Sequence, residues 1–183
     1  MTVDFNTITY LQTGTAIQQR IYHILHTHRI LERLSDFTPV VVGTFPLDIA
    51  IETSDIDIAC FCEDFNVFNQ VVQSCFTERE AFTTTLIELR NQKAYVANFV
   101  VDGVPIEIFA QNIPVNEQYG FRHLLIEHAI LLEKGSTFKA QIIELKRKGL
   151  KTEPAFALLL GLTGDPYEEL LSYELTNTNE SFL

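Results

Sequence analysis

The strongest constraint on the fold is the dipeptide Asp102-Gly103, which separates two apolar runs at 94–101 and 104–110. Asp-Gly between apolar runs is typical of the two-residue turn of a β-hairpin, because both turn positions need a positive φ that these residues tolerate. The sequence therefore predicts two adjacent antiparallel strands here.

Strand and helix patterns alternate before this hairpin. Apolar residues at helical spacing predict a first helix over 14–35. Between two later strands, Asp64 can cap a helix that extends to about Phe76. Branched and alternating residues predict strands at 39–43, 55–62 and 82–90.

The chain is predicted to be helical from Asn116 onward, with Gly135 separating the first two helices. Thr152 and Asp165-Pro166 open two more helices. These patterns predict an α+β fold, in which a mixed β-sheet of about five strands carries helices and is followed by a C-terminal helical part. We expect residues 1–115 to form the α/β core and residues 116–183 to form a helical region packed on it.

Composition and charge narrow the functional classes. Of 183 residues, 46% are hydrophobic, which is enough for a packed core. No apolar run approaches the roughly 20 residues of a membrane span, and the N-terminus lacks the layout of a signal peptide. We therefore expect a cytoplasmic protein with no membrane partner. The net charge of −11 makes a long nucleic acid an unfavourable partner, whereas the local basic residues at 146–148 and Lys151 suit a small anionic ligand.

Two acids share one face of the strand at 55–62. Side chains i and i+2 of a strand point the same way, so Asp55 and Asp57 project together. Neighbouring carboxylates repel each other unless a cation or a proton lies between them. Taken alone, the pair is explained equally well by a solvated strand end and by a functional site.

A third acid, Glu107, is the one charge inside the apolar second strand of the hairpin. A lone acid flanked by isoleucines needs a partner. If its strand lies beside the strand of Asp55 and Asp57, three carboxylates converge. Carboxylate oxygens suit Mg²⁺ or Mn²⁺ better than zinc, and two such ions can activate an attacking oxygen and stabilise a leaving phosphate oxygen.

Gly43-Thr44 ends the strand at 39–43 and precedes the two aspartates by a short loop. A glycine at a strand end lets the backbone approach a phosphate closely. Exposed N–H groups and the Thr44 hydroxyl can then donate to phosphate oxygens. A lone Gly-Thr is most often a turn, so its weight comes from its position before Asp55.

Further candidates lie in the helical half. Arg122 could bind a phosphate and His123 a base or an acceptor, although a surface arginine and a packed histidine are the commoner explanations. The basic residues at 146–148 could hold a triphosphate, but they are explained most simply as cations that stabilise a helix C-terminus. Lys151 lies outside that helix and could hold a triphosphate.

Three features follow one another along the sequence: Gly43-Thr44, then Ser54-Asp55-Ile56-Asp57, then Glu107 on a later strand. Together they resemble the signature of the DNA polymerase beta-type nucleotidyltransferase superfamily. Longer stretches, such as GTFPLDIAIETSDIDIAC and GLKTEPAFALLLGLTGDPYEELL, resemble an uncharacterised bacterial family of nucleotidyltransferase-like proteins placed in that superfamily. The superfamily resemblance implies transfer of a nucleoside monophosphate from an NTP to an acceptor, with release of pyrophosphate. It also implies that Mg²⁺ or Mn²⁺ is bound by three catalytic acids, Asp55, Asp57 and Glu107.

The resemblance and the individual candidates together give one set of predicted nucleotide-binding residues. This set is Gly43, Thr44, Ser54, Arg122, His123 and Lys151. The acceptor is expected to be a small molecule or a protein side chain, because an acidic surface disfavours a long nucleic acid.

Two alternatives to transfer stay open. A catalytically silent module of the same fold could bind a nucleotide or a partner protein, and the absence of a basic residue from 44–54 favours it. The protein could also be one component of a toxin–antitoxin pair, a role that small nucleotidyltransferase-like proteins can play. Fold resemblance alone does not separate these functions.

Overall fold

The computed structural model describes residues 3–175, in which a five-stranded sheet forms the centre of the fold. The strands are β1 (Val40–Val42), β2 (Ile56–Phe61), β3 (Glu80–Leu89), β4 (Gln92–Val101) and β5 (Val104–Gln111). Their order across the sheet is β1-β2-β5-β4-β3. β2 and β5 are parallel and the other neighbours are antiparallel, so the predicted mixed sheet of an α+β fold is confirmed.

Helices precede, interrupt and follow the strands. The α-helices of the described residues are α1 (Thr9–Gln12), α2 (Ala16–Thr27), α3 (Ile30–Arg33), α4 (Phe65–Phe76), α5 (Tyr119–Arg147), α6 (Thr152–Leu160) and α7 (Pro166–Leu171). Short 3-10 turns at Ser35–Phe37 and Val115–Glu117 precede β1 and α5. None of these helices combines the length and the apolar character needed to cross a membrane.

The first long helix is shorter than the predicted 14–35 and is interrupted. At its start, the N–H of Thr15 donates to Oε1 of Gln18 at 3.1 Å. The chain leaves α2 before Arg29, which has a left-handed φ of 54°, and resumes as α3. No glycine or proline marks this break, so the apolar stripe alone does not reveal it. Asp64 caps α4 as predicted, accepting hydrogen bonds from two N–H groups of the first turn.

The predicted hairpin joins β4 and β5. Val101 pairs with Val104, while Asp102 and Gly103 have φ values of 50° and 75°. β3 and β4 are joined by a second two-residue turn, Arg90-Asn91 (90–91), whose φ values are 53° and 60°. Without a glycine, this second turn has a much weaker signal in the sequence.

Different helices cover the two faces of the sheet. On one face, Ile56, Ile58 and Ile106 share a buried cluster with residues of α1 to α4. On the other face, Val42 and Ala59 share a cluster with residues of α5 to α7. Burying each large apolar side chain stabilises the fold by about 1.5–3 kcal/mol. The domain boundary at residue 115 remains a prediction, and residues 176–183 of the predicted helical region lie outside the described residues.

The long helix α5 is broken at Gly135, which has a φ of 76° and a ψ of −170°. A break was predicted at this glycine. In a straight helix Glu127 and Lys146 would lie about 28 Å apart, at about 1.5 Å per residue. Here both residues line one pocket, so the chain turns back on itself at Gly135.

Candidate active site

Two of the predicted acids lie side by side on adjacent strands. β2 and β5 run parallel, and Asp57 and Glu107 are direct partners in their register. Register partners point to the same face of a sheet, here the face opposite the cluster that contains Ile56 and Ile58. Asp55 comes directly before β2 and lines the same pocket. Three carboxylates can converge only if their two strands are adjacent, and β2 and β5 are adjacent.

Burial and neighbouring charges raise the pKa of two of these carboxylates. Burial raises the pKa of Asp57 well above its usual range, and the charges of Asp55 and Glu107 raise it further. Burial also raises the pKa of Glu107, as does the charge of Asp55, while Lys151 acts in the opposite direction. A carboxyl group with a raised pKa holds and releases a proton closer to neutral pH, a property that catalytic acids and bases need.

Gly43 is required by the close approach of Asp57. Gly43 follows Val42, which pairs with Asp57 in the register of β1 and β2. Its φ is +72°, and a Cβ atom at this position would lie 2.1 Å from Oδ2 of Asp57. The sequence suggested that this glycine makes room for a phosphate. In the structure the atom that it accommodates is a carboxylate oxygen of the candidate site.

Thr44 presents a buried hydroxyl to the pocket. Its Oγ1 has no hydrogen-bond partner among the described residues, and Thr44 lines the pocket together with Ser54. Leaving a buried hydroxyl unpaired costs about 1–3 kcal/mol, so this atom is well placed to bind a ligand. The Ser54 hydroxyl is already engaged, since it accepts a hydrogen bond from the N–H of Ile51 at 2.9 Å.

The loop between β1 and β2 is fixed by its apolar residues and by contacts to helices. Leu47 and Ile49 are buried. Nε2 of Gln18 donates to a loop carbonyl at 2.9 Å, and Nζ of Lys139 donates to Oδ2 of Asp48 at 2.7 Å. The apolar composition of 44–54 is therefore explained by packing, and Lys139 of α5 supplies a cation to the loop.

The acids, the glycine turn and the C-terminal helices enclose a pocket of about 940 Å³. Pockets of about 300–1,000 Å³ are usual for small ligands and cofactors. Most of the predicted nucleotide-binding residues line it, namely Gly43, Thr44, Ser54, His123 and Lys151.

Arg122 and His123 are placed differently. Arg122 is exposed outside the pocket lining, with its guanidinium 5.8 Å from the ring centroid of Tyr119. His123 is buried, and its Nε2 donates to the carbonyl of Tyr167 at 2.9 Å, which holds α5 against α7. Its Nδ1 lies 3.9 Å from Oε1 of Glu153. His123 therefore has structural partners while it lines the pocket, and the nucleotide-binding roles of both residues stay predictions.

Three charged residues of the C-terminal helices line the pocket although they are not in the predicted set of site residues: Glu127, Lys146 and Glu153. Glu127 and Lys146 are only 3% and 6% exposed. Oε1 of Glu127 and Nζ of Lys146 have no hydrogen-bond partner among residues 3–175. Burial raises the pKa of Glu127 well above its usual range, and burial lowers the pKa of Lys146 to about 8.

Glu127 had a signal of burial in the sequence, whereas Lys146 stood out only as part of a basic run. Glu127 continues a row of buried residues at three-residue spacing with Phe121, Leu124 and Ile130. A charge in such an apolar row is expected to be buried and to need a partner. Lys146 begins a basic run at a helix end, where solvated cations are common.

The β3–β4 turn covers the rim of the pocket. The guanidinium of Arg90 lies 4.1 Å from the ring centroid of Tyr119 and donates to Glu168 of α7. The hydroxyl of Tyr119 donates to the same carboxylate at 2.9 Å. This contact joins the turn to the first residue of α5 and to α7.

The donor chemistry of the site fits a hard divalent cation. Asp55, Asp57 and Glu107 offer carboxylate oxygens and Thr44 offers a buried hydroxyl, the kind of ligands that Mg²⁺ and Mn²⁺ prefer. Among residues 3–175, however, no group of three or more His, Cys, Asp or Glu could hold a metal ion as the side chains stand. For three of these acids to hold one ion together, their carboxylates would have to move closer to one another.

The fold is similar to solved nucleotidyltransferase structures. The Cid1 poly(U) polymerase with MgGTP bound has a TM-score of 0.51 and 14% identity, and the match covers 70% of this chain and 41% of that chain. The structure of the GLD-2/RNP-8 complex has a TM-score of 0.54 and 16% identity, and the match covers 84% of this chain and 61% of that chain. A cytoplasmic RNA terminal U-transferase has a TM-score of 0.50 and 15% identity, and the match covers 70% of this chain and 38% of that chain. This chain thus spans less than two thirds of each of these proteins, and what it shares with them is the nucleotidyltransferase fold.

A comparison with curated proteins found no match. The family model described as Domain of unknown function (DUF4269) matches residues 23–173, which contain all five strands and all the predicted site residues. The bacterial character of the family stays a prediction. The match covers most of the chain, and the protein therefore belongs to the DUF4269 family.

Proposed function

We propose that this protein transfers a nucleoside monophosphate from an NTP to an acceptor. The observation that carries the proposal is the register of β2 and β5, in which Asp57 and Glu107 are direct partners with Asp55 beside them. The pocket of about 940 Å³ in front of these acids supports it. So does the fold shared with Cid1 and GLD-2.

The reaction forms one bond and breaks one. An oxygen of the acceptor attacks the α-phosphorus of the NTP, the bond from that phosphorus to the β-phosphate oxygen breaks, and pyrophosphate leaves with the electron pair. Asp55, Asp57 and Glu107 would hold Mg²⁺ or Mn²⁺, which supplies positive charge to the phosphates when bound. Glu107 is the candidate acceptor of the attacking hydroxyl's proton, because burial raises its pKa.

The nucleotide would lie between the glycine turn and the helices. Gly43 keeps the backbone close to the acids, and the unpartnered hydroxyl of Thr44 can donate to a phosphate oxygen. Lys151 is exposed at the start of α6 and lines the pocket, where its ammonium can meet a phosphate. Ser54 and His123 contribute to the pocket wall.

The acceptor is proposed to be a small molecule or a protein side chain. The net charge of −11 disfavours a long nucleic acid. Two of the similar structures are named for poly(U) and for RNA. This chain covers only 41% and 38% of those proteins, and their acceptors are not assigned to it.

A second candidate function is a silent module that binds a nucleotide or a partner protein without transfer, including a component of a toxin–antitoxin pair. The observation that favours it is the arrangement of the acids, which do not form a metal-holding group among the described residues. The two candidates differ in a measurable product, because only transfer releases pyrophosphate.

The test begins with thermal stability in ATP, GTP, CTP and UTP, each with and without Mg²⁺. An NTP at 100 times its Kd adds about 2.7 kcal/mol to the free energy of unfolding, which raises Tm by about 5–10 °C at this chain length. The Asp57→Asn variant should lose the Mg²⁺-dependent rise. The exposed Asp36→Asn is the matched control and should keep it.

The NTP found in this way is then incubated with Mg²⁺ and pools of small molecules or proteins, and pyrophosphate is measured. Release that requires Asp57 supports transfer. Binding without release from any pool favours the silent module. If no NTP changes the Tm of the native protein, the proposed transfer is wrong.

A further inference from the structure

Lys146 is one of the charged groups of the pocket to which the proposed transfer gives no role. It projects from the second half of α5, is 6% exposed and lines the pocket. Its Nζ has no hydrogen-bond partner among the described residues. An ammonium group removed from water needs a compensating charge.

The compensating charges are the carboxylates of the pocket. Lys146 interacts most strongly with Glu127, followed by Asp57, Glu153 and Asp55. These acids come from α5, β2, α6 and the residue before β2. One ammonium therefore balances carboxylates from both the sheet and the helices.

Lys146 differs in this respect from Lys139 of α5 and from Lys148, which follows α5 directly. Lys139 and Lys148 each form an ion pair with one carboxylate, at 2.7 Å and 2.5 Å. Lys146 forms no ion pair within residues 3–175. Its charge is shared among several acids rather than fixed to one of them.

We propose that Lys146 is a resident counter-cation that competes with divalent cations for the carboxylate pocket and thereby sets the affinity of the pocket for metal. The inference rests on the proposed function, because Asp57 is both a proposed metal ligand and one of the acids that Lys146 balances. A divalent ion near Asp57 and the ammonium of Lys146 repel each other, and the repulsion is strong in a partly buried site.

The arrangement of the acids is compatible with this competition. A single positive charge that touches none of the carboxylates offsets part of their repulsion without drawing three of them onto one centre. This agrees with the finding that no described group of three acids could hold an ion as it stands. A divalent ion that gathered Asp55, Asp57 and Glu107 would have to displace the ammonium of Lys146 or bind against its repulsion.

The test measures Mn²⁺ binding without nucleotide, by calorimetry and by electron paramagnetic resonance of free Mn²⁺. Lys146→Met should bind Mn²⁺ at least about tenfold more tightly than the native protein, because a repelling unit charge is gone. Lys146→Arg keeps the charge and should stay within about twofold of the native affinity. Lys148→Met removes an exposed lysine at the C-terminal cap of the same helix and should also change the affinity little, because surface charges are screened.

A second readout covers the possibility that Lys146→Met does not fold. Lys146→Gln keeps a polar side chain, and its Tm in EDTA and in Mn²⁺ is compared with that of the native protein. The rise of Tm caused by Mn²⁺ should be larger in Lys146→Gln than in the native protein. This readout requires no enzymatic activity.

The outcomes separate the inference from the proposed function. Equal Mn²⁺ affinities in the native protein and in Lys146→Met, with an equal Mn²⁺-dependent rise of Tm in Lys146→Gln, overturn the inference and leave the transfer proposal intact. A loss of NTP affinity with unchanged Mn²⁺ affinity also overturns it, and would make Lys146 a phosphate ligand. Mn²⁺ binding only by the neutral variants supports the competition and counts against metal-dependent transfer in the native protein. If no variant binds Mn²⁺, both ideas fail.

Discussion

The two faces of the sheet differ in what they contribute to the protein. Ile56, Ile58 and Ile106 are almost fully buried against α1 to α4. On the same two strands, Asp57 and Glu107 face the pocket that α5 to α7 cover. Because side chains alternate along a strand, β2 and β5 supply a packed face and a charged face at once. The apolar face stabilises the fold, and the charged face is held in position by it.

The charged face lowers stability in the absence of a ligand. Burial and neighbouring charges raise the pKa of Asp57 well above its usual range, which means that the fold disfavours its ionised form. Burial also raises the pKa of Glu127, which lies on the helical side of the pocket, well above its usual range. Substitutions on the two faces should therefore have opposite effects on stability.

The largest effect is expected on the apolar face. Phe68 of α4 is fully buried, with its ring centroid 4.6 Å from that of Phe37 and 5.3 Å from that of Tyr95. Phe68→Ala should lower the free energy of unfolding by about 3–5 kcal/mol, measured by chemical denaturation. Val67→Ala, at a half-exposed position of the same helix, should change it by less than about 0.5 kcal/mol. Similar losses in both variants would contradict this view of the face.

A second substitution acts where the faces meet. Gly43→Ala combines a positive φ with a Cβ atom 2.1 Å from Oδ2 of Asp57, and we expect a loss of about 2–4 kcal/mol. Gly103→Ala has a similar φ of +75° but nothing within 4 Å, so only about 1–2 kcal/mol should be lost. Denaturation of both variants isolates the clash. Equal losses would show that the Asp57 carboxyl moves aside freely.

A neutralising substitution on the charged face should raise stability by an amount that depends on pH. The pKa of Glu127 is raised in the folded state, so the folded state binds more protons than the unfolded state above about pH 4. The contribution of Glu127 to stability therefore falls as pH rises through this window. Glu127→Gln should be more stable than the native protein by about 1 kcal/mol at pH 7, and the gain should vanish near pH 4.

This pH dependence is measured by denaturation in EDTA between pH 4 and pH 8. Glu78→Gln, at an exposed position, is the control and should show a difference that does not change with pH. A loss of stability in Glu127→Gln at pH 7 would mean that ionised Glu127 is stabilised in the fold, against the direction of its pKa.

The smallest effect is expected at the rim. Arg90→Gln removes the guanidinium over Tyr119 and the ion pair with Glu168, at a position about one third exposed. Such contacts contribute about 0.5–1 kcal/mol. Arg33→Gln, at an exposed position on α3, should have less effect on Tm. A loss comparable to that of Phe68→Ala would show that the rim is part of the stabilising structure.

Local chemistry allowed much of the fold to be predicted from the sequence. The Asp102-Gly103 turn, the alternation of β2 and the break at Gly135 depend on the backbone preferences of a few neighbouring residues. The turn at Arg90 and the break at Arg29 were not predictable, because non-glycine residues at positive φ are selected by tertiary context rather than by preference.

The candidate site could be predicted only in part. Asp55, Asp57 and Glu107 were identifiable as charges within strand patterns, but their meeting depends on the parallel pairing of β2 with β5. α4 and a whole hairpin lie between these strands in sequence, so the pairing is a property of the assembled sheet. The burial of Lys146 was unpredictable for a similar reason, since it depends on how the second half of α5 returns to the sheet.

Because α5 turns back at Gly135, the placement of charges in the pocket depends on a backbone turn that lies outside the pocket. Glu127 stands on one arm of the resulting helical hairpin and Lys146 on the other, so the separation of positive and negative charge follows the angle between the arms. Opening the hairpin by a few ångströms would withdraw the ammonium and leave the acids facing solvent and ions. No atom lies within 4 Å of a Cβ built at Gly135, so Gly135→Ala would act on that angle through the backbone alone. The affinity of the candidate site for cations would thus be adjustable from a glycine that lies outside the lining of the pocket.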